Sequence, residues 1–126
     1  MAATYVEIAS ITTSAATPAI KFGNIPQTYT DLVLVYDYVS SVNGDYAILF
    51  NDDTGSNYNR GYGFANITSA TDSNGSNAPI SGMLNAYFIG AVSSGTTNIM
   101  EYANTNMYKT AVTSANINGS SNYVGL

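Results

Sequence analysis

The chain has 126 residues and a mass of 13.2 kDa, which suits a single domain over residues 1–126 with its own hydrophobic core. Charged residues make up only 9% of the sequence, the net charge is −5, and three basic residues lie far apart along the chain. Three scattered cations cannot form the patch that nucleic acid or an anionic membrane surface requires, so we expect neither as a partner. The absence of histidine and cysteine removes Ser-His and Cys-His nucleophiles, disulfides and most transition-metal sites.

The first stretch of the chain predicts two short strands. Residues 5–11 form a candidate first strand, and the small residues at 12–18 predict a turn. Residues 19–22 alternate, with Ile20 and Phe22 on one face and Lys21 on the other. We therefore expect a second strand here, with Lys21 in solvent.

Residues 25–58 carry the strongest strand signals. Residues 32–39 are apolar, β-branched and aromatic, Asn43-Gly44 follows, and residues 46–50 are apolar again. Asparagine and glycine tolerate the positive φ of a type I′ turn, so this pattern predicts a hairpin. The first strand is apolar at successive positions, which indicates that both its faces are covered, either inside a sandwich or at a subunit contact.

The remaining elements alternate between strands and turns. Residues 51–57 are rich in turn formers, and residues 68–79 predict a polar, mobile loop. Tyr58, Arg60, Tyr62 and Phe64 share one face of a predicted strand. Further strands are expected at residues 83–92, 96–102, 108–117 and 123–126, with turns at 93–95 and at Asn118-Gly119.

No helical periodicity is sustained over three turns, because Gly, Asn and Ser interrupt each candidate. About eight short strands at regular spacing predict an all-β fold, an antiparallel β-sandwich.

The first half of the chain contains a series of short motifs: Thr4-Tyr5, Ile8-Ala9-Ser10, Phe22, Ile25-Pro26, residues 28–32, Phe50-Asn51, Asp53-Thr54 and Asn57-Tyr58. Together these motifs resemble those of small structural proteins of tailed bacteriophages. The second half matches more loosely, through an aromatic strand and the stretch from Glu101-Tyr102 to Lys109. The resemblance implies a virion component, and with it a jelly-roll-like form of the sandwich.

The acidic residues offer two candidate sites, neither with a specific signature. Asp37 and Asp45 can approach each other across the predicted hairpin, as many solvated acids do, so we expect no catalytic residue and no enzyme activity. Residues 51–57 supply oxygen ligands for calcium, but the alternating acids and closing glutamate of an EF-hand are missing. We favour a turn held by Asp and Asn side chains, keep Asp52 and Asp53 as weak calcium candidates, and expect no cofactor.

The chain contains 11 Tyr and 4 Phe, and tyrosine suits both protein interfaces and sugar binding. Tyr62 and Phe64 are able to form a sugar-stacking strip, although core or subunit contact is the favoured interpretation. The candidate interface residues are Tyr36, Tyr38, Tyr58, Tyr62 and Phe64.

These observations lead to a function without catalysis. We expect a bacteriophage capsid decoration or cement protein on the particle surface, a homotrimer that binds the major capsid protein or other virion proteins. The main alternative is a tail-fibre or receptor-binding module that recognises a host surface glycan, and a more distant one is a cellular carbohydrate-binding domain.

Overall fold

The computed structural model describes residues 5–39, 44–55, 62–66, 70–73, 83–88, 92–107, 109–117 and 121–125. These residues contain eight strands and no helix, which confirms the strand-only prediction. The strands are β1 (Leu32–Val39), β2 (Gly44–Ile48), β3 (Tyr62–Asn66), β4 (Ala70–Ser73), β5 (Met83–Phe88), β6 (Val92–Met100), β7 (Thr110–Ile117) and β8 (Ser121–Gly125).

The strands form two antiparallel sheets. One has six strands in the order β1-β6-β7-β8-β3-β4, and the other consists of β2 and β5. Strands β6, β7 and β8 are consecutive in the chain and adjacent in the sheet, so they form a meander. Cα atoms of β5 come within 8 Å of those of β7 and β8, which places the small sheet near the middle of the large one.

The predicted hairpin between residues 32–39 and 46–50 is wrong. β1 has the predicted bounds, but all eight of its residues pair with β6, and β2 pairs with β5 in the other sheet. Asn43-Gly44 is a local signal for a turn. A strand nevertheless pairs with the neighbour that packs best against it, and for β1 that neighbour lies about 60 residues further along the chain. Asn43 itself lies outside the described residues.

The two strands predicted before residue 25 are also wrong. Residues 5–11 and 19–22 belong to no strand, and every residue from 5 to 21 is exposed. Their β-branched and alternating sequence is compatible with a strand, but a strand also requires a partner, and none of the described strands pairs with these residues.

Two predicted connections contain strand instead. The predicted loop at residues 68–79 includes β4, which pairs with β3, and the predicted turn at residues 93–95 lies inside β6. Gly95 occurs within the strand because the Tyr36 ring lies directly over it: a Cβ built on Gly95 falls 2.5 Å from the Tyr36 hydroxyl oxygen. The glycine marks a close approach rather than a turn. The predicted turn at Asn118-Gly119 lies outside the described residues.

The buried part of the described residues lies on one face of β6 and β7. Ile99, Ala111 and Ala115 are the buried hydrophobic residues there. Thr97 and Thr113 lie opposite each other in the same face, 0% and 3% exposed, with their hydroxyl oxygens 2.9 Å apart. Because each hydroxyl has a hydrogen-bonding partner, the polar pair can be buried at little cost.

Two hydrogen bonds fix the end of the β1–β6 pair. The Glu101 amide donates to the Asp31 side chain at 2.8 Å, and the Tyr102 amide donates to the Thr30 carbonyl at 3.0 Å. Glu101 has a φ of 50°, so the chain turns sharply directly after β6. These bonds hold the residues before β1 against the turn after β6 and so set where β1 begins.

Candidate binding surface

β1 exposes an apolar face at one edge of the six-stranded sheet. Its residues alternate between half-buried and exposed, and the exposed set comprises Val33, Val35, Asp37 and Val39, which we call the valine face. The three valines are 38%, 72% and 75% exposed. The prediction of a strand covered on both faces within a sandwich is therefore wrong, whereas the alternative of a subunit contact is compatible with this exposure.

The edge of β1 lacks the features that normally prevent strand edges from associating. It carries no lysine and no proline, and its register with β6 runs from Leu32 to Val39 without a shift. Asp37 is its single charge. An eight-residue apolar edge of this kind is a template for another strand.

The surface beside the valine face is polar but almost uncharged. Ser94 and Asn98 on β6 and Ser114 and Asn116 on β7 are exposed in the same face of the sheet. Hydroxyl and amide groups thus border the valines of β1, and Met100 of β6, 40% exposed, is a further apolar residue on this face.

A second apolar surface precedes the sheet. Residues 5–20, which we call the leading segment, are all exposed. Five large hydrophobic residues in it are 39–72% exposed: Tyr5, Val6, Ile8, Ile11 and Ile20. Lys21, the residue that follows this segment, forms an ion pair with Asp52 at 2.5 Å, and Phe22 is half-buried. The segment is therefore attached to the body of the protein at its C-terminal end. Lys21 is exposed, as predicted.

The total exposed area is large for the mass of the chain. It is 8983 Å², whereas a folded monomer of 13.2 kDa exposes about 6,400 Å². The exposed valines and the leading segment contribute to this large area.

The predicted interface tyrosines of β1 lie on the side opposite the valine face. Tyr36 and Tyr38 are half-buried, their ring centroids are 5.9 Å apart, and both hydroxyl oxygens are shielded from solvent. By register they share a face with the buried residues of β6 and β7. The candidate tyrosines therefore lie on the covered side of β1. The exposed valines were not among the predicted interface residues, although the unbroken apolar run of this strand indicates a second contact face.

Two of the other candidates lie on β3. In the pairing of β3 with β8, Phe64 lies opposite Tyr123 and Tyr62 lies opposite Gly125. The core and interface interpretations of these two residues stay predictions. Tyr58 lies outside the described residues.

The part of the 51–57 loop that is described, residues 51–55, forms the predicted turn. Asn51 and Asp52 have φ of 55° and 58°, and the Asp53 amide donates to the Phe50 carbonyl at 3.0 Å, as in a type I′ turn. The Asp53 side chain accepts a hydrogen bond from the Gly55 amide at 2.8 Å. The two candidate calcium ligands are thus already engaged, Asp53 by this amide and Asp52 by Lys21.

We predict that calcium does not stabilise this loop. Lys21 already neutralises the Asp52 carboxylate, so a calcium ion would have to compete with its ammonium group, and one oxygen of Asp53 already accepts the Gly55 amide. Thermal unfolding with calcium and with a chelator should give the same melting temperature, because only a ligand that binds the folded state raises it. A rise in melting temperature with calcium that Asp53→Asn abolishes would make Asp52 and Asp53 ligands. Glu7→Gln, which removes a distant exposed carboxylate, is the matched control.

Neither of the two acids considered for catalysis faces the other across a hairpin. Asp37 pairs with Ser94 in the large sheet, and Asp45 pairs with Tyr87 in the small one. Within the described residues no three acidic side chains gather into a group. Both lysines have partners: Lys21 pairs with Asp52, and Lys109 donates to the Asn104 and Glu101 carbonyls, the latter at 3.3 Å.

In the described part of the chain no helix is long and apolar enough to cross a membrane. No protein-family model matches the sequence, and comparisons with curated proteins and with solved structures found no similar chain.

Proposed function

We propose that this chain is a non-enzymatic structural protein of a bacteriophage virion, a capsid decoration or cement protein that acts by adhesion. The observation that carries the proposal is the valine face, an apolar strip on an unprotected strand edge. Isolated exposed apolar residues are common on proteins, but three exposed valines on one face of an edge strand, beside a polar border, are typical of an interaction site. The resemblance of the short motifs to those of small phage structural proteins supports the same function.

We further propose that the two sheets are the layers of a β-sandwich, in keeping with the proximity of β5 to β7 and β8. Two layers enclose the face that carries Ile99, Thr97 and Thr113 and leave the valine face outside. The jelly-roll-like form of that sandwich stays a prediction.

The mechanism is burial of apolar surface at repeated contacts. The major capsid protein, or another virion protein, covers the valine face, and the sparse charge on this chain lets copies pack closely without strong repulsion. Full burial of one valine contributes about 1.5 kcal/mol or more, so a few such residues give each copy a modest affinity. A homotrimer multiplies that affinity, because its linked sites bind at high effective concentration.

The decoration function is tested on particles assembled without the protein. Purified wild-type protein should bind them, and electron microscopy should place it on the capsid. Val35→Asp should weaken binding by tenfold or more, because it puts a charge into the apolar contact. Ser114→Asp is the control, since Ser114 is exposed in the same cross-strand row but lies outside the apolar strip. Equal binding by Val35→Asp and wild type would contradict the proposal.

The polar border favours the second candidate, a tail-fibre or receptor-binding module for a host glycan. Asn98 and Asn116 offer exposed amides, and Ser94 offers an exposed hydroxyl, groups that hydrogen-bond sugars. Density at the tail rather than on the capsid, together with glycan binding that Asn98→Ala reduces, would favour this function over decoration.

A further inference from the structure

Among the described residues, the outer edge of β1 and the leading segment are suited to strand pairing, and neither pairs with a further described strand. We propose that the leading segment of one copy adds as an extra strand to the edge of β1 in a second copy of this chain. This interaction concerns self-association alone and does not depend on where in a virion the protein lies.

The leading segment has the composition and length of a strand. Residues 5–12 match the eight residues of β1 in length and contain Tyr, Val, Ile and Thr, which favour strands. Within the described chain, residues 5–16 form neither a backbone–backbone nor a side-chain hydrogen bond. Strand addition satisfies those amides and carbonyls together with the edge groups of β1.

Either side of the leading segment is able to continue the valine face. In a strand, Val6 and Ile8 fall on one side, and Tyr5 and Ile11 fall on the other. Whichever side continues the valine face, two large apolar residues lie beside the valines and enlarge the apolar strip. Because Glu7 and Asp37 are the only charges of the two strands, registers that place them opposite each other are disfavoured.

Both pairing surfaces are accessible for such an exchange. The three valines of β1 and the four large apolar residues of residues 5–12 are 38–75% exposed. If two copies exchange their segments reciprocally, the product is a dimer. If each copy passes its segment to the next, the contact is heterologous and closes into a ring such as a trimer.

The test compares wild type with Ile8→Pro. Proline removes an amide hydrogen and does not fit within a paired strand, but Ile8 has no backbone partner in its own chain. Light scattering over a concentration series should show association of the wild type, and Ile8→Pro should raise the dissociation constant about tenfold or more, with an unchanged melting temperature at high dilution. Ala15→Pro, in the same exposed segment but beyond the pairing residues, should associate like wild type.

Hydrogen exchange of the wild type gives an independent readout. The amides of residues 5–12 should exchange rapidly in dilute monomer and become protected at concentrations where the protein associates. A wild type that stays monomeric at all concentrations would overturn the proposal, as would association that Ile8→Pro leaves unchanged. Protection of the same amides in the monomer would also overturn it, because the segment would then pair within its own chain.

Discussion

Gly95→Ala should lower the melting temperature more than any other single methyl addition in the described strands. A Cβ at this position falls 2.5 Å from the Tyr36 hydroxyl oxygen and 2.6 Å from the Ser114 carbonyl oxygen. The tyrosine ring is able to rotate away, but the carbonyl belongs to the backbone of β7 and moves only if the β6–β7 pair is distorted. We expect a loss of about 2 kcal/mol or more, as for overpacked cores, which corresponds to roughly 6 °C or more for a chain of this size.

Gly23→Ala is the matched control for this substitution. No atom lies within 4 Å of a Cβ built on Gly23. The same change should therefore leave the melting temperature unchanged or raise it slightly, since alanine restricts the unfolded chain. Equal melting temperatures for both variants and wild type would mean that Tyr36 does not cover Gly95.

Ile99→Ala should be the most destabilising truncation of a side chain on β6. Ile99 is 6% exposed, and its register partners are Leu32 on β1 and Ala111 on β7. Removal of three carbons from this position leaves a cavity between three strands, with an expected loss of about 2–4 kcal/mol in the free energy of unfolding. Denaturant titration measures this loss as a lower midpoint with an unchanged slope.

Met100→Ala, at the next residue of β6, distinguishes burial from side-chain size. Met100 lies on the opposite face and is 40% exposed, so its truncation should cost less than about 1 kcal/mol. If the two variants lost similar stability, the assignment of Ile99 to the core and Met100 to the surface would be wrong.

Strand positions with continuous apolar or alternating patterns could be predicted from sequence. β1 has the predicted bounds, and β7 begins two residues inside its predicted range and ends with it. Both are long segments in which every second residue contributes to one covered face, and that periodicity is a property of the residues themselves. The turn at residues 51–53 could also be predicted, because Asn and Asp tolerate positive φ.

Pairing partners could not be predicted in the same way. Asn43-Gly44 favours a hairpin locally, yet β1 and β2 lie in different sheets, and β1 pairs with β6. The sequence predicts a turn at Gly95, whereas in the structure Gly95 lies within β6 and the Tyr36 ring lies over it. The candidate binding residues also could not be predicted, because they depend on strand pairing. The tyrosines of β1 are conspicuous in the sequence, but the register of β1 with β6 places them on the covered side of the sheet and leaves the valines exposed.

The sequence by itself determined that this chain is built of strands, that its charge is sparse, and that residues 32–39 carry two apolar faces. These properties follow from residue type and spacing, which are local. Tertiary structure alone decided which of those faces is covered, which strands form the edges of the described sheet, and that residues 5–20 pair with no described strand. The physical reason is that strand pairing satisfies backbone groups that every residue carries, so the choice among possible neighbours depends on packing between distant segments rather than on the local sequence.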